Sequence, residues 1–193
     1  MNYKELIYLP KFLFLCILSL TFGMFAYKKG MTYVYKLNDK WSTGLYIHGN
    51  ARTQKENNND DGFLDAPLAN QINVMNRWQY QNPETGWVSF LNIRFLNDEK
   101  QVGQVDFDPD APNAIRGFGD ATSFTGNEIW GSEIDTRRFD SSLKLGYVFP
   151  ELPFQSFGFQ TSYSSHNQDS YFGLNRYDID HESVYSNIIF NSI

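Results

Sequence analysis

Residues 138–149 read Arg138-Phe139-Asp140-Ser141-Ser142-Leu143-Lys144-Leu145-Gly146-Tyr147-Val148-Phe149. Phe139, Leu143, Leu145, Tyr147 and Phe149 alternate with Arg138, Asp140, Ser142, Lys144, Gly146 and Val148. A period of two puts the first set on one side of an extended chain and the second set on the other, so the segment is a two-faced β-strand. Pro150-Glu151-Leu152-Pro153 turns the chain, and Phe157, Phe159, Thr161 and Tyr163 then oppose Gly158, Gln160, Ser162, Ser164 and His166. The same period runs upstream. Trp41, Thr43, Leu45 and Ile47 alternate with Ser42, Gly44, Tyr46 and His48, and Ile72, Val74, Trp78 and Tyr80 with Asn73, Met75, Arg77 and Gln79. In the next run, Trp87, Leu91, Ile93 and Phe95 alternate with Val88, Phe90, Asn92, Arg94 and Leu96. Met31 to Leu37 and Ser183 to Ile193 complete a set of about seven strands, with no helical pattern after Met31.

The links between these strands alternate in length. Those at 38–40, 82–86 and 150–153 are short; those at 53–70, 97–133 and 167–182 are long. Short turns on one side and long loops on the other are the habit of outer-membrane β-barrels. Tyr33, Tyr35, Trp41, Trp78, Tyr80, Trp87, Tyr147, Phe149, Phe154, Phe157 and Phe159 all flank the short turns, as an aromatic girdle at one membrane interface would. The apolar strand faces carry no Asp, Glu, Lys or Arg at mid-strand. The expected fold is all-β, an antiparallel transmembrane β-barrel segment of about seven strands from a larger barrel. Alternation also describes half-buried strands of a soluble sheet, so a secreted β-sandwich that binds glycan or protein stands as an alternative.

Composition agrees with two-faced strands. Aromatic residues make up 17% of the 193 residues and charged residues 20%. A formal charge of −6 argues against a nucleic-acid partner, because phosphate neutralisation needs clustered Lys and Arg. Cys16 is the single cysteine, so this chain alone builds neither a disulfide framework nor a thiolate metal cage. Residues 1–27 read as a short hydrophobic N-terminal segment: Lys4 and Lys11 precede an apolar run from Phe12 to Tyr27, as in a signal peptide. The run is shorter than the ~20 residues of a spanning helix and has no clear small-x-small cleavage site, so a non-native N-terminus is the other reading.

Three stretches carry a family resemblance. They are Trp41-Ser42-Thr43-Gly44-Leu45-Tyr46, Asn73-Val74-Met75-Asn76-Arg77-Trp78-Gln79-Tyr80 and Lys144-Leu145-Gly146-Tyr147-Val148-Phe149-Pro150-Glu151. They resemble barrel strands of TonB-dependent outer-membrane receptors, as do Ser170-Tyr171-Phe172-Gly173-Leu174-Asn175 and Tyr185-Ser186-Asn187-Ile188-Ile189, and the likeness spans residues 28–193. The resemblance implies a bacterial outer-membrane location and a larger barrel of about 22 strands with a plug in its lumen. It implies TonB-coupled import of a scarce nutrient such as a ferric siderophore or cobalamin, and contact with outer-membrane lipid. No plug or coupling box is recognisable, and Ile193 stands where such barrels usually carry an aromatic residue, so the expectation is a partial barrel. A passive porin or adhesin barrel is the alternative within the same compartment.

No enzyme is expected, since nucleophile-elbow, phosphate-loop and zinc-helix signatures are all missing. Lys36, His48, Arg77, Arg94, Asp140 and Lys144 fall on the polar strand faces and are the candidates to line a lumen. Their charge is net positive, which suits an anionic solute, although in a plugged barrel most such charges would meet the plug. Asn57, Asn59, Asp61 and Asp65 take first, third, fifth and ninth positions around Gly62, in the manner of a calcium loop. Leu68 stands where a bidentate Glu belongs, so a solvated Asn/Asp-rich loop is the plainer reading and no other cofactor is expected. His48, His166 and His181 lack metal-like spacing and read as lumen or loop residues.

Overall fold

Side chains alternate across an extended backbone, so a chain of two-faced segments with tight turns can satisfy its main-chain hydrogen bonds only by laddering them edge to edge. The computed structural model describes residues 15–23, 26–117 and 126–192, with the backbone alone over 15–29, and every regular element among them is a strand. The strands are β1 (Leu15–Gly23), β2 (Ala26–Lys36), β3 (Trp41–Arg52), β4 (Leu68–Asn82) and β5 (Trp87–Gly103). After them come β6 (Ala114–Ile115), β7 (Ile129–Val148), β8 (Ser156–Phe172), β9 (Asn175–Arg176) and β10 (Ile179–Asn191). Sequential neighbours pair antiparallel in the order β1-β2-β3-β4-β5-β7-β8-β10, with β6 beside β7 and β9 beside β8. The sheet is open: β1 and β10 are its two edges.

Register does what sequence period alone cannot, which is to put the apolar faces of separate strands on one side. Directly opposed residues share a face. One row runs Thr43, Trp78, Leu91, Leu143, Thr161, and another Ile47, Val74, Phe95, Phe139. A third, at the short-turn end, runs Trp87, Tyr147, Phe157, Phe190. The apolar face is therefore continuous from β3 to β10. On β4, β5 and β7 it occupies the nine-residue segments Ile72–Tyr80, Trp87–Phe95 and Phe139–Tyr147. Beyond it, toward the long loops, the same face becomes charged, with Glu99, Asp135 and Asp169 in one row.

Among the described residues almost nothing covers that face. Among the described residues the buried apolar side chains are Phe107 and Tyr171, and neither lies in the band. Ile72, Ile93, Phe95, Phe139 and Phe157 are all exposed. The accessible surface is 13676 Å², against roughly 9,400 Å² expected for a 193-residue chain folded around its own core.

The tight ends follow from turn chemistry. Asn38 Oδ1 accepts the backbone N–H groups of Lys40 (2.9 Å) and Trp41 (2.8 Å), so its side chain builds the β2–β3 turn. Gly86 has a φ of 75°, and a Cβ there would lie 1.8 Å from the Val148 carbonyl oxygen, so only glycine lets β5 enter beside β7. Trp41 packs on Tyr80 with ring centroids 4.8 Å apart and Trp87 on Tyr147 at 4.9 Å, forming an aromatic row along these turns.

The strand limits differ from those read off the sequence. The ladder of β5 continues to Gly103 and that of β7 begins at Ile129, so the long link of 97–133 shrinks. The link expected at 167–182 contracts to 173–178, with β9 inside it, because β8 runs on to Phe172 and β10 begins at Ile179. The sheet also extends past Met31: β2 starts at Ala26, where Lys28-Lys29-Gly30 breaks the alternation without breaking the ladder. Leu15–Gly23, within the hydrophobic segment of 1–27, pairs with β2. The remainder of that segment's reading, over residues 1–14 and 24–25, and the expectation attached to Ile193 lie outside the described residues.

Candidate functional site

The polar face of the sheet carries the chemistry. Lys36, His48, Arg77, Arg94, Asp140 and Lys144 all share it. Lys36, Ser42, Gln79, Phe90 and Lys144 form one row, Gly44, Arg77, Asn92 and Ser142 the next, and Tyr46, Met75, Arg94, Asp140 and Ser164 a third. The register does not bring all six candidates together. Arg94 and Asp140 meet, Lys144 and Lys36 stand at the short-turn end, and His48 lies on the row beyond Tyr46. Arg77 rests over the Phe90 ring, 5.0 Å from its centroid.

Asp140 is the hub. Its carboxylate accepts from Arg138 Nε (2.9 Å to Oδ2, 3.0 Å to Oδ1) and Nη2 (2.9 Å), and from the Ser164 hydroxyl (2.7 Å). Arg94 Nη1 stands 3.9 Å from Asp140 Oδ2, beyond hydrogen-bond range, while Arg94 Nε donates to Asn73 Oδ1 at 3.1 Å. The cluster of two guanidinium groups and one carboxylate thus carries a net positive charge. Arg138, Asn73 and Ser164 were not singled out from the sequence. The signal for Arg138 was present, since it sits two residues from Asp140 on the same strand face; Asn73 and Ser164 needed cross-strand register.

A hollow of about 450 Å³ opens on this face beside Arg94, lined by Tyr46, His48, Asn73 and Met75 among others. Tyr46 lies flat over Gly44, where a Cβ would come within 3.0 Å of the ring. The histidines do not assemble into a metal site. His166 and His181 are directly opposed and share a row with Arg138 and His48, but four strand spacings, about 19 Å, separate His48 from His166. Among the described residues no group of three or more His, Cys, Asp or Glu side chains converges as a metal site would require.

In the loop bearing Asn57, Asn59, Asp61 and Asp65, the last three turn side-chain oxygens onto the loop's own donors. Asp65 Oδ2 accepts the N–H and side-chain amide of Asn58 at 2.7 Å each, and Asp61 Oδ1 accepts the Phe63 N–H at 2.8 Å. Asn59 Oδ1 accepts the Asp61 N–H at 3.3 Å, and Asn57 Oδ1 is enclosed without a donor. The bonds from Asn59, Asp61 and Asp65 are side-chain-capped turns.

At the long-loop end two connections, those after β3 and β5, are tied together. Phe63 bridges Gln104, Leu64 N donates to Gly103 O (2.9 Å), and Val105 N donates to Gly62 O (2.9 Å). Lys55 Nζ reaches the carbonyls of Val105 (2.5 Å) and Phe107 (3.5 Å), and the Phe107 ring, 1% exposed, lies against Gly131. Tyr171 donates to Glu133 at 2.7 Å; burial first, and that bond second, push its hydroxyl above the ordinary tyrosine value.

Next to it, Asp135 is held above the ordinary carboxylate value, first by lost hydration and then by the charge of Glu99, with Asp169 adding and Arg137 opposing. A carboxyl with a raised folded-state value favours folding below its unfolded value and loses that contribution as pH rises through the folded one. Asp135→Asn is therefore expected to raise stability slightly at neutral pH and to leave it unchanged at pH 3, measured by denaturant titration at the two pH values. The gain is small because the Asp135 side chain remains exposed.

No helix of the described residues is long and apolar enough to cross a membrane, which leaves crossing by strands open. Compared with known proteins, the chain matches no family model, no curated protein and no solved structure.

Proposed function

We propose that this chain forms a section of the wall of a bacterial outer-membrane β-barrel of the TonB-dependent receptor kind, importing a scarce nutrient such as a ferric siderophore or cobalamin. The observation that carries the reading is the uncovered apolar face, aligned by register across the strands and free of charge over nine-residue segments. A transmembrane strand tilted at about 45° needs about 9–11 residues to cross the hydrocarbon. The aromatic row at the short turns and the charged row of Glu99, Asp135 and Asp169 bound that band at its two ends, as two membrane interfaces would. A soluble sandwich would need a second sheet over the band, and the described strands supply one sheet.

An open sheet in hydrocarbon leaves edge N–H and C=O groups unpaired at several kcal/mol each, so β1 and β10 require further strands beside them. The polar face then lines a lumen, with long loops outside to capture solute and a TonB-driven plug to release it inward.

Two measurements test the reading. Full-length chain reconstituted with lipid is exposed to a membrane-restricted carbene probe. Labelling of Ile72, Ile93 and Phe159 with sparing of Asn92 and Ser142 is expected; recovery of the chain as a monodisperse water-soluble species would overturn the membrane assignment. Active import is tested by sequencing the DNA flanking the reading frame, where a plug-like domain is expected; a barrel without one would make the protein a passive pore or adhesin.

A further inference from the structure

The hollow beside Arg94 has the makings of a ligand site. Arg94 is fixed from behind: its Nε is spent on Asn73 Oδ1 at 3.1 Å, which sets the plane of the guanidinium. The carboxylate that would ordinarily quench it, Asp140, has both oxygens engaged by Arg138 and one of them by Ser164, and stays 3.9 Å from Nη1. The next carboxylate along β5 on this face, Asp98, is bound to Lys100 Nζ at 2.6 Å. The outer edge of Arg94 is thus an oriented pair of donors without a carboxylate partner within hydrogen-bond distance among the described residues. Tyr46 and Met75 form an aromatic and apolar wall next to it, and His48 lines the same hollow. A space of about 450 Å³ suits a molecule of one or two rings.

We infer that this hollow binds the carboxylate of a small organic anion with a flat apolar body, the carboxylate seated in the fork of Arg94 and the body against Tyr46 and Met75. The inference rests on the polar face being a lumen, since only then is it the surface a passing solute meets. A guanidinium matches two carboxylate oxygens at once, which an ammonium cannot do.

The test uses the full chain in detergent micelles, with benzoate as probe and benzylamine, which keeps the ring and reverses the charge, as control. Calorimetric titration is expected to show saturable benzoate binding and none with benzylamine. Arg94→Gln should weaken benzoate at least tenfold, and Arg94→Lys, which keeps charge and bulk, should also weaken it several-fold. Arg77→Gln removes one positive charge from the same face outside the hollow and should leave the affinity within twofold.

Equal weakening by Arg77→Gln and Arg94→Gln, equal binding of benzylamine, or absence of saturation would each overturn the site. Carbene labelling of the same samples separates the two proposals. A chain labelled on Ile93 that ignores benzoate loses the site and keeps the membrane wall; a chain that binds benzoate without labelling does the reverse.

Discussion

Ile93→Arg is expected to cost roughly 2 to 4 kcal/mol of stability in a bilayer, the penalty for a guanidinium near the midplane on the lipid side of a barrel strand. Ile93 lies within the apolar band, opposite Ser141 and opposite Asn76 at the centre of the β4 segment, and is 40% exposed. In water such a residue is an ordinary surface position, and its replacement by Arg would change stability by less than about 0.5 kcal/mol. The same substitution therefore separates oil from water as the surroundings of that face. Asn92→Arg is the internal control: one residue away on the polar face, it loses the 3.1 Å bond to Ser142 and gains Arg77 as a like-charged cross-strand neighbour, together a cost of about 1 kcal/mol. Urea titration of both variants in lipid vesicles, followed by tryptophan fluorescence, is expected to show a large loss for Ile93→Arg and a small one for Asn92→Arg. Equal small losses would mean that the apolar face meets water.

Gly131→Ala is expected to dismantle the cluster at the long-loop end while leaving the sheet intact. The added Cβ would lie 2.3 Å from two atoms of the Phe107 ring and 2.4 Å from a third. The ring cannot step aside, because the Phe107 carbonyl takes Gln101 Nε2 (3.1 Å) and Lys55 Nζ, and its N–H is bonded to Gln104 O. Expulsion of a fully buried Phe forfeits roughly 1.5 to 3 kcal/mol. The loss is local, since Phe107 lies outside the paired strands. Limited proteolysis should cut within residues 104–117 of the variant and spare the parent, with unchanged far-ultraviolet circular dichroism. Resistance equal to that of the parent would show that the ring is not what holds the loops.

The two-residue period made the strands legible wherever one face is apolar, and failed where that stops. Beyond Phe95 the face carries Asn97 and Glu99, and before Phe139 it carries Asp135 and Arg137, so apolar alternation ends while the ladder from Asn97↔Arg137 to Gly103↔Gly131 continues. Periodicity reports the surroundings of side chains; main-chain pairing leaves no such mark. The six polar-face candidates could be assigned a side from parity alone. That Asn73 orients Arg94, and that Ser164 joins Arg138 on Asp140, depends on which residues face each other across neighbouring strands. The calcium-like spacing at 57–65 matched a pattern of oxygens, but spacing does not say that those oxygens bend back onto the Asn58, Asp61 and Phe63 amides.

The strands outrun the apolar band by a wide margin: β5 continues eight residues past Phe95 to Gly103, and β7 begins ten residues before Phe139. At about 3.4 Å per residue this is more than 20 Å of hydrogen-bonded wall. Set in a bilayer, such a wall would stand like a parapet above the lipid headgroups and hold the Phe63 and Trp130 rings clear of them. Bulky visitors such as phage tail fibres, antibodies or secreted proteases would meet that rim before they touched the membrane.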